Sequence, residues 1–199
     1  MFGFLAEGFD LPILNWIQQN LQCEFLDFLM PLITLLGDAG IFWIACSVVL
    51  MLIPKQRKAG FAMGAALLIG VVVCNMIMKP AFARIRPYAY NLDILKLDWQ
   101  DFLAKGKLLV EESWDFSFPS GHTIASFEAS VALLKSNKRL GIPALILACL
   151  IAFSRMYLYV HYPTDVIASV ILGTVFALFS HWLVQIIAAR IEQRKPKAA

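Results

Sequence analysis

The chain has 199 residues, 60% hydrophobic and 16% charged, with a mean hydropathy of +0.71. A soluble domain carries about 25% charged residues, so the composition excludes an ordinary water-soluble globule. It predicts one domain, an all-α polytopic membrane bundle, because several runs approach the roughly 20 apolar residues that cross a bilayer. The formal net charge of +3 says little about partners, and no nucleic-acid partner is expected.

Residues 1–10 carry Glu7 and Asp10 and no basic leader, so no cleavable signal peptide is expected. Residues 10–22 alternate apolar and amide side chains (Leu11, Leu14 and Ile17 against Asn15, Gln18 and Gln19), which predicts an interfacial helix. A first, short span is expected at 25–36, weakened by Glu24 and Asp27. Gly37-Asp38-Ala39-Gly40 reads as a turn, and a second span at 41–53 closes at Pro54. The third span, 59–78, contains Gly60-x-x-x-Gly64, which permits close helix contact. A mixed polar connection follows over 80–118, of a length that usually carries function or motion. Spans four to six are expected at 120–134, 140–159 and 163–188, about six in all. The division is an N-terminal segment, 1–22, a transmembrane domain, 23–188, and a basic tail, 189–199. Cys23, Cys46, Cys74 and Cys149 are scattered through apolar runs and read as small buried hydrophobes, not as a disulfide or metal framework.

Basic residues set the orientation. Lys55, Arg57 and Lys58, then Lys135, Lys138 and Arg139, then Arg190, Arg194, Lys195 and Lys197 all fall at one end of these spans. The positive-inside rule makes that end, and the C-terminus, cytoplasmic. The chemically distinctive cassettes fall at the other end.

The first of these is Lys79-x6-Arg86-Pro87. The second, Pro119-Ser120-Gly121-His122, opens a helix: serine suits an N-cap, glycine admits a ligand close to the backbone, and first-turn amides attract an anion. Alone it is equally a capped helix with an interfacial histidine. The third, Ser154-Arg155-x5-His161-x3-Asp165, puts a carboxylate four residues after an imidazole, on a shared face if the segment is helical, with Pro163 in the first turn of span six. Such a carboxylate fixes the imidazole tautomer and raises its basicity, leaving the other nitrogen free to attack. An interfacial histidine beside a carboxylate at a helix N-terminus is the plainer reading. Lys79 equally snorkels to the interface, whereas Arg155, set among Phe153, Met156 and Tyr157, belongs in a polar cavity. Guanidinium groups match phosphate oxygens bidentately.

These three cassettes, in this order, resemble the signature motifs of the type 2 phosphatidic acid phosphatase superfamily, which includes membrane lipid phosphatases and soluble vanadium haloperoxidases. The resemblance covers about residues 59–188. It implies that His161 is the nucleophile and forms a phosphohistidine, that Asp165 orients it, and that His122 protonates the leaving oxygen and then activates water. Lys79, Arg86, Ser120, Gly121 and Arg155 would bind the phosphate oxygens. No metal and no cofactor are implied, since cations and helix amides take that place. No Asp, Glu or His cluster stands at metal-ligand spacing.

Among other polar residues, Arg84 reads as a surface arginine, with contact to a substrate headgroup as the other reading. Glu128 is expected to face the bundle and pair with a cation or an amide. Asn75 is placed to position Lys79, and His181 reads as structural. Tyr88, Tyr90, Trp99, Trp114, Tyr157, Tyr159 and Tyr162 fit an interfacial belt or a groove for a lipid tail. The expected activity is hydrolysis of a lipid phosphate or diphosphate held in the bilayer of a bacterial plasma membrane, at the extracytoplasmic face. Undecaprenyl pyrophosphate is the first candidate, and phosphatidylglycerophosphate or phosphatidic acid the alternative. An anion transporter using the same cations would be expected to show inverted repeats or interrupted helices, and the sequence displays neither.

Overall fold

The computed structural model of the chain describes residues 2–93 and 115–193. The helical turns Phe2–Leu5 and Ala6–Asp10 run into α1 (Leu11–Leu21), which buries Leu11, Leu14 and Ile17 and exposes Trp16, as its amphipathic pattern requires. Then come α2 (Glu24–Leu35), α3 (Ile41–Leu52), α4 (Arg57–Gly70), α5 (Pro87–Asp93), α6 (Gly121–Ser136), α7 (Lys138–Tyr157) and α8 (Pro163–Gln193). The α4 axis continues through the π-helical stretch Val71–Met78 and a last turn, Lys79–Phe82. No strand occurs among the described residues.

The first two expected spans, 25–36 and 41–53, are not two crossings. Each arm has twelve residues, a rise of about 18 Å, well short of the roughly 30 Å apolar core of a bilayer. They lean mainly on α7 and α4 respectively. Together they form one apolar stretch of 29 residues, Glu24–Leu52. Its break lies at Asp38–Gly40, where Ala39 (φ 47°) and Gly40 (φ 68°) take left-handed backbone, which glycine adopts without steric cost. Three further stretches are long and apolar enough to cross a membrane: Pro54–Tyr90, Lys138–Tyr157 and Pro163–Gln193. The sixteen-residue α6 runs among them, packed on α4, α7 and α8. Four stretches among the described residues thus meet that length, with the shorter α6 as a fifth run among them, and the expected count of about six is not confirmed.

Helix α6 is the axis of the bundle. Its alanines and serines (Ala129, Ala132, Ser126, Ser130) are fully buried, which lets neighbouring backbones come close. Gly60 serves a contact within this chain: the Ser47 hydroxyl of α3 donates to its carbonyl at 2.9 Å, and a Cβ there would sit 2.6 Å from the Met51 nitrogen. Side chains such as Phe61, Leu68, Ile146, Ile171 and Val175 face outward, the pattern of a protein solvated by lipid.

The C-terminal ends of α4 and α7 and the N-terminal ends of α6 and α8 meet at one end of the bundle. The N-terminal segment lies against that same end: Tyr90 donates to Glu7 at 2.7 Å, Gln18 to the Tyr157 carbonyl at 2.6 Å, and Tyr159 to Asn15 at 2.8 Å. At the opposite end Lys58 pairs with Glu192 at 3.3 Å, and His181 lies 3.3 Å from the Ser136 hydroxyl.

Candidate active site

The three cassettes converge on a cavity of about 260 Å³ at this end. Lys79, Arg86 and Arg155 line it with His122, His161 and Gly121. Ile44, Leu67, Val71 and Ile124 form its apolar walls, and Glu128 lines it deeper in the bundle. Ile44 and Val71 are also about half exposed on the outer surface of the bundle, at 48% and 46%.

Ser120 occupies the N-cap position of α6 with extended backbone, yet its side chain caps no backbone amide. Its N–H donates to the Ser169 hydroxyl on α8 at 2.8 Å, and its own hydroxyl accepts from Thr123 at 3.0 Å. The serine ties α6 to α8, correcting the simple capping expectation. Gly121 faces the end of α4: a Cβ there would lie 3.4 Å from Asn75 Oδ1 and 4.0 Å from Lys79 Nζ, so glycine keeps the first-turn amides approachable.

His161 does not share a helical face with Asp165. It precedes α8, in a bend that begins where the Arg155 carbonyl accepts from the Val160 and His161 amides at 3.2 and 3.3 Å, and Tyr159 takes φ 58°. That bend turns the imidazole back into the bundle, where it is 1% exposed. Its Nδ1 lies 3.6 Å from Asp165 Oδ2 and 3.5 Å from the Ser117 hydroxyl. Its Nε2 lies 3.4 Å from Arg86 Nη1, on the cavity side. Asp165 is held in turn by the Tyr162 amide at 3.0 Å, by the Ser117 hydroxyl, and by an ion pair with Arg84. Burial first, then the charges of Arg86, Arg155 and Lys79, hold the His161 imidazole well below its ordinary range, with Asp115 opposing. A neutral imidazole at physiological pH follows.

Arg86 donates to the Val160 carbonyl at 2.9 Å, and Arg155 to the Thr34 hydroxyl of α2 at 2.6 Å, while Arg155 Nε has no hydrogen-bond partner among the described residues. His122 reaches the cavity from the first turn of α6, its Nε2 4.0 Å from Asp38 Oδ1 in the break between α2 and α3. Glu128 faces inward as expected, against Gly70, where a Cβ would sit 2.3 Å from Oε1. That oxygen has no hydrogen-bond partner among the described residues.

Several participants were not foreseen. Arg84 is buried, stacked 3.9 Å from the Tyr162 ring centroid and paired with both Asp10 and Asp165; it is no surface arginine. Tyr88, Tyr90, Tyr157, Tyr159 and Tyr162 are buried in one apolar cluster with α1, which covers them and removes them from an interfacial belt; Trp99 and Trp114 lie outside the described residues. Asp115 bridges Lys79 and Arg86 with its two carboxylate oxygens, the place where phosphate oxygens would sit between the same cations. Its only sequence signal was an acid a few residues before the second cassette. Because the carboxylate and a phosphate compete for these cations, Asp115→Asn is expected to tighten inhibition by vanadate several-fold, read as a lower inhibition constant at fixed ionic strength. An unchanged constant would remove Asp115 from the anion site. Among the described residues no three His, Cys, Asp or Glu side chains gather as a metal site requires.

Comparison with known proteins agrees with this geometry. Residues 40–188 match the PAP2 superfamily. The chain is 31% identical to an undecaprenyl-diphosphatase of Sulfolobus acidocaldarius over 174 residues, covering 87% of this chain and 77% of that one. Its fold matches the crystal structure of Aquifex aeolicus LpxE with a TM-score of 0.68 at 22% identity, over 86% of this chain and 93% of the other. It also matches a transmembrane PAP2-type phosphatidylglycerolphosphate phosphatase from Bacillus subtilis with a TM-score of 0.60 at 25% identity, over 87% and 82%.

Proposed function

The chain belongs to the PAP2 superfamily and is an integral membrane lipid phosphatase, and from that premise we propose that it cleaves a polyprenyl diphosphate through a phosphohistidine on His161. The observation that carries this reading is the cavity itself: three cations and the free edge of His161 at one end, with lining residues Ile44 and Val71 that also face the bilayer. A lipid whose chain stays among the acyl tails can bring a terminal phosphate to that place.

In the first step His161 Nε2 attacks phosphorus. The N–P bond forms as the bond to the leaving oxygen breaks, and His122 gives that oxygen a proton. Asp165, whose Oδ2 faces Nδ1 at 3.6 Å, stabilises the positive charge the ring acquires. In the second step His122 takes a proton from water as the water oxygen attacks phosphorus. The N–P bond breaks and inorganic phosphate leaves. Lys79, Arg86, Arg155, Ser120 and the first-turn amide of Gly121 hold the equatorial oxygens, where charge concentrates in the transition state.

The diphosphate assignment rests on the archaeal relative, whose name states that activity. Phosphatidylglycerophosphate is the second reading, favoured by the likeness to the Bacillus subtilis structure. The broken stretch Glu24–Leu52 is an interrupted helix of the kind an anion transporter uses, but its break lies beside His122 at the cationic end. Family membership places the chain with the hydrolases.

The site is proposed to face outward from the cytoplasm, because Lys55, Lys58, Lys135 and Arg190 gather at the opposite end. A reporter active only outside the cytoplasm, fused after residue 199, is then expected to stay silent. Phosphate release by detergent-purified protein from polyprenyl diphosphate, phosphatidylglycerophosphate and phosphatidic acid tests the substrate. The highest kcat/KM is expected on the diphosphate, and a preference for either monoester would transfer the assignment.

A further inference from the structure

The N-terminal helix sends one side chain in behind the site. Asp10, where Ala6–Asp10 passes into α1, is 0% exposed. Its Oδ1 accepts from the Thr164 amide at 2.9 Å, and its Oδ2 accepts from the Thr164 hydroxyl at 2.7 Å and from Arg84 Nη2 at 2.6 Å. Nη1 of the same guanidinium donates to Thr164 Oγ1 at 2.8 Å and pairs with Oδ1 of Asp165, whose other oxygen faces His161 Nδ1. The order is therefore Asp10, Arg84, Asp165, His161, with each side chain in polar contact with the next and all four buried.

The charge count gives this order a consequence. Two carboxylates share one guanidinium, so the triad carries one net negative charge, and that charge stands behind Nδ1 of His161. Around the imidazole the other charged groups among the described residues are Arg86, Arg155, Lys79 and Asp115, with cations in excess. A net negative charge behind Nδ1 offsets them and favours the positive ring that forms when Nε2 bonds phosphorus. Without Asp10 the triad is neutral, and Arg84 competes more strongly with His161 for the lone pairs of Asp165. Thr164 by itself would satisfy both oxygens of Asp10, so a purely mechanical clamp between α1 and α8 has no need of the guanidinium.

We infer that Asp10 is a positioning residue for the His161–Asp165 pair, acting through Arg84, so that the N-terminal helix is part of the catalytic apparatus. The inference rests on the reading of His161 as the phosphate acceptor. Its consequence is that one helix both presents Phe9 and Trp16 outward, about half exposed, and sets the electrostatics of the reacting imidazole.

The test compares wild type with Asp10→Asn, Asp10→Ala and Asp10→Glu, using the folded, monodisperse fraction of full-length protein in detergent. Asp10→Asn keeps the shape and an acceptor for the Thr164 amide, but removes the charge and replaces the oxygen facing the Thr164 hydroxyl and Arg84 by a donor. It is expected to lower kcat by about ten- to a hundredfold with KM and vanadate inhibition within about threefold, since the phosphate-binding cations are untouched. Asp10→Glu is expected to restore much of kcat. A second readout needs no turnover. The chain has three histidines, so nitrogen-15 histidine labelling gives a spectrum in which His161 is identified by its loss in His161→Ala. Asp10→Asn is expected to move the His161 ring resonances and leave those of His122 and His181 in place. His161 resonances that stay unmoved in the folded Asp10 variants overturn the inference, whatever their stability. A wild type that releases no phosphate from any lipid would instead overturn the proposed function, and the spectra would still decide the role of Asp10.

Discussion

Replacing His161 by alanine is expected to reduce phosphate release by at least about 10⁴-fold for every substrate, whatever its leaving group. Two features make the loss so complete. Nε2 is the only imidazole nitrogen beside Arg86, 3.4 Å from its Nη1, and Nδ1 is already engaged toward Asp165 and Ser117. Among the described residues the nearest other groups are the cations Lys79, Arg86 and Arg155, the carboxylate of Asp115, which is paired with two of them, and His122, which enters from another helix. The variant should still bind vanadate, since Lys79, Arg86 and Arg155 remain. Quenching wild type in alkaline detergent during turnover should trap a phosphate that is stable to base and labile to later acid treatment, as a phosphoramidate is, and His161→Ala should trap none. Near-normal turnover by the variant, or an acid-stable label, would move the nucleophile elsewhere.

The parts of this site that sequence spacing could reveal are those whose partners lie within a turn or a cassette. Lys79 and Arg86 stand seven residues apart, and His122 follows the glycine that opens its own helix, so their grouping is local. Asp10, Ser117 and Thr34 were not legible because their partners are distant: Arg84 is 74 residues from Asp10, Asp165 is 48 from Ser117, and Arg155 is 121 from Thr34. A lone acid in an amphipathic helix, or a lone threonine in an apolar run, has no local signature. Arg84 was misjudged for the opposite reason. An arginine in a polar connection looks solvated until a second element is laid over it, and here the N-terminal turn Ala6–Asp10 is that element.

The division of residues 25–53 into two spans failed on a different point. Apolar run, glycine-rich turn, apolar run describes both a hairpin and a single broken helix, and hydropathy cannot tell them apart. Length could have. Twelve residues on either side of Asp38–Gly40 are too few to cross twice. The break has a use that a hairpin would not serve in this position: it brings Gly37 and Asp38 against His122, where a Cβ on Gly37 would lie 2.9 Å from the imidazole Cδ2.

That packing bears on the second large effect. His122→Ala is expected to slow hydrolysis by about 10²- to 10⁴-fold for an alkyl phosphate, the usual range for a lost general acid. The loss should shrink as the leaving group improves, because a departing aryl oxide or phosphate needs less protonation in the transition state. An alkyl phosphate monoester, an aryl phosphate and a diphosphate therefore form a graded series. In wild type their phosphoenzyme-formation rates should lie close together, and in His122→Ala they should spread, with the diphosphate retaining the most activity. The second step, common to all three, uses His122 as base on water, so the variant should accumulate phosphohistidine wherever the first step stays fast. Rapid quench with the diphosphate reads both effects at once: a burst of trapped phosphate near one per active site, followed by slow release. A uniform loss across the series with no accumulated intermediate would mean that His122 only shapes the cavity against Gly37, and the acid would have to be sought among the other groups that line it.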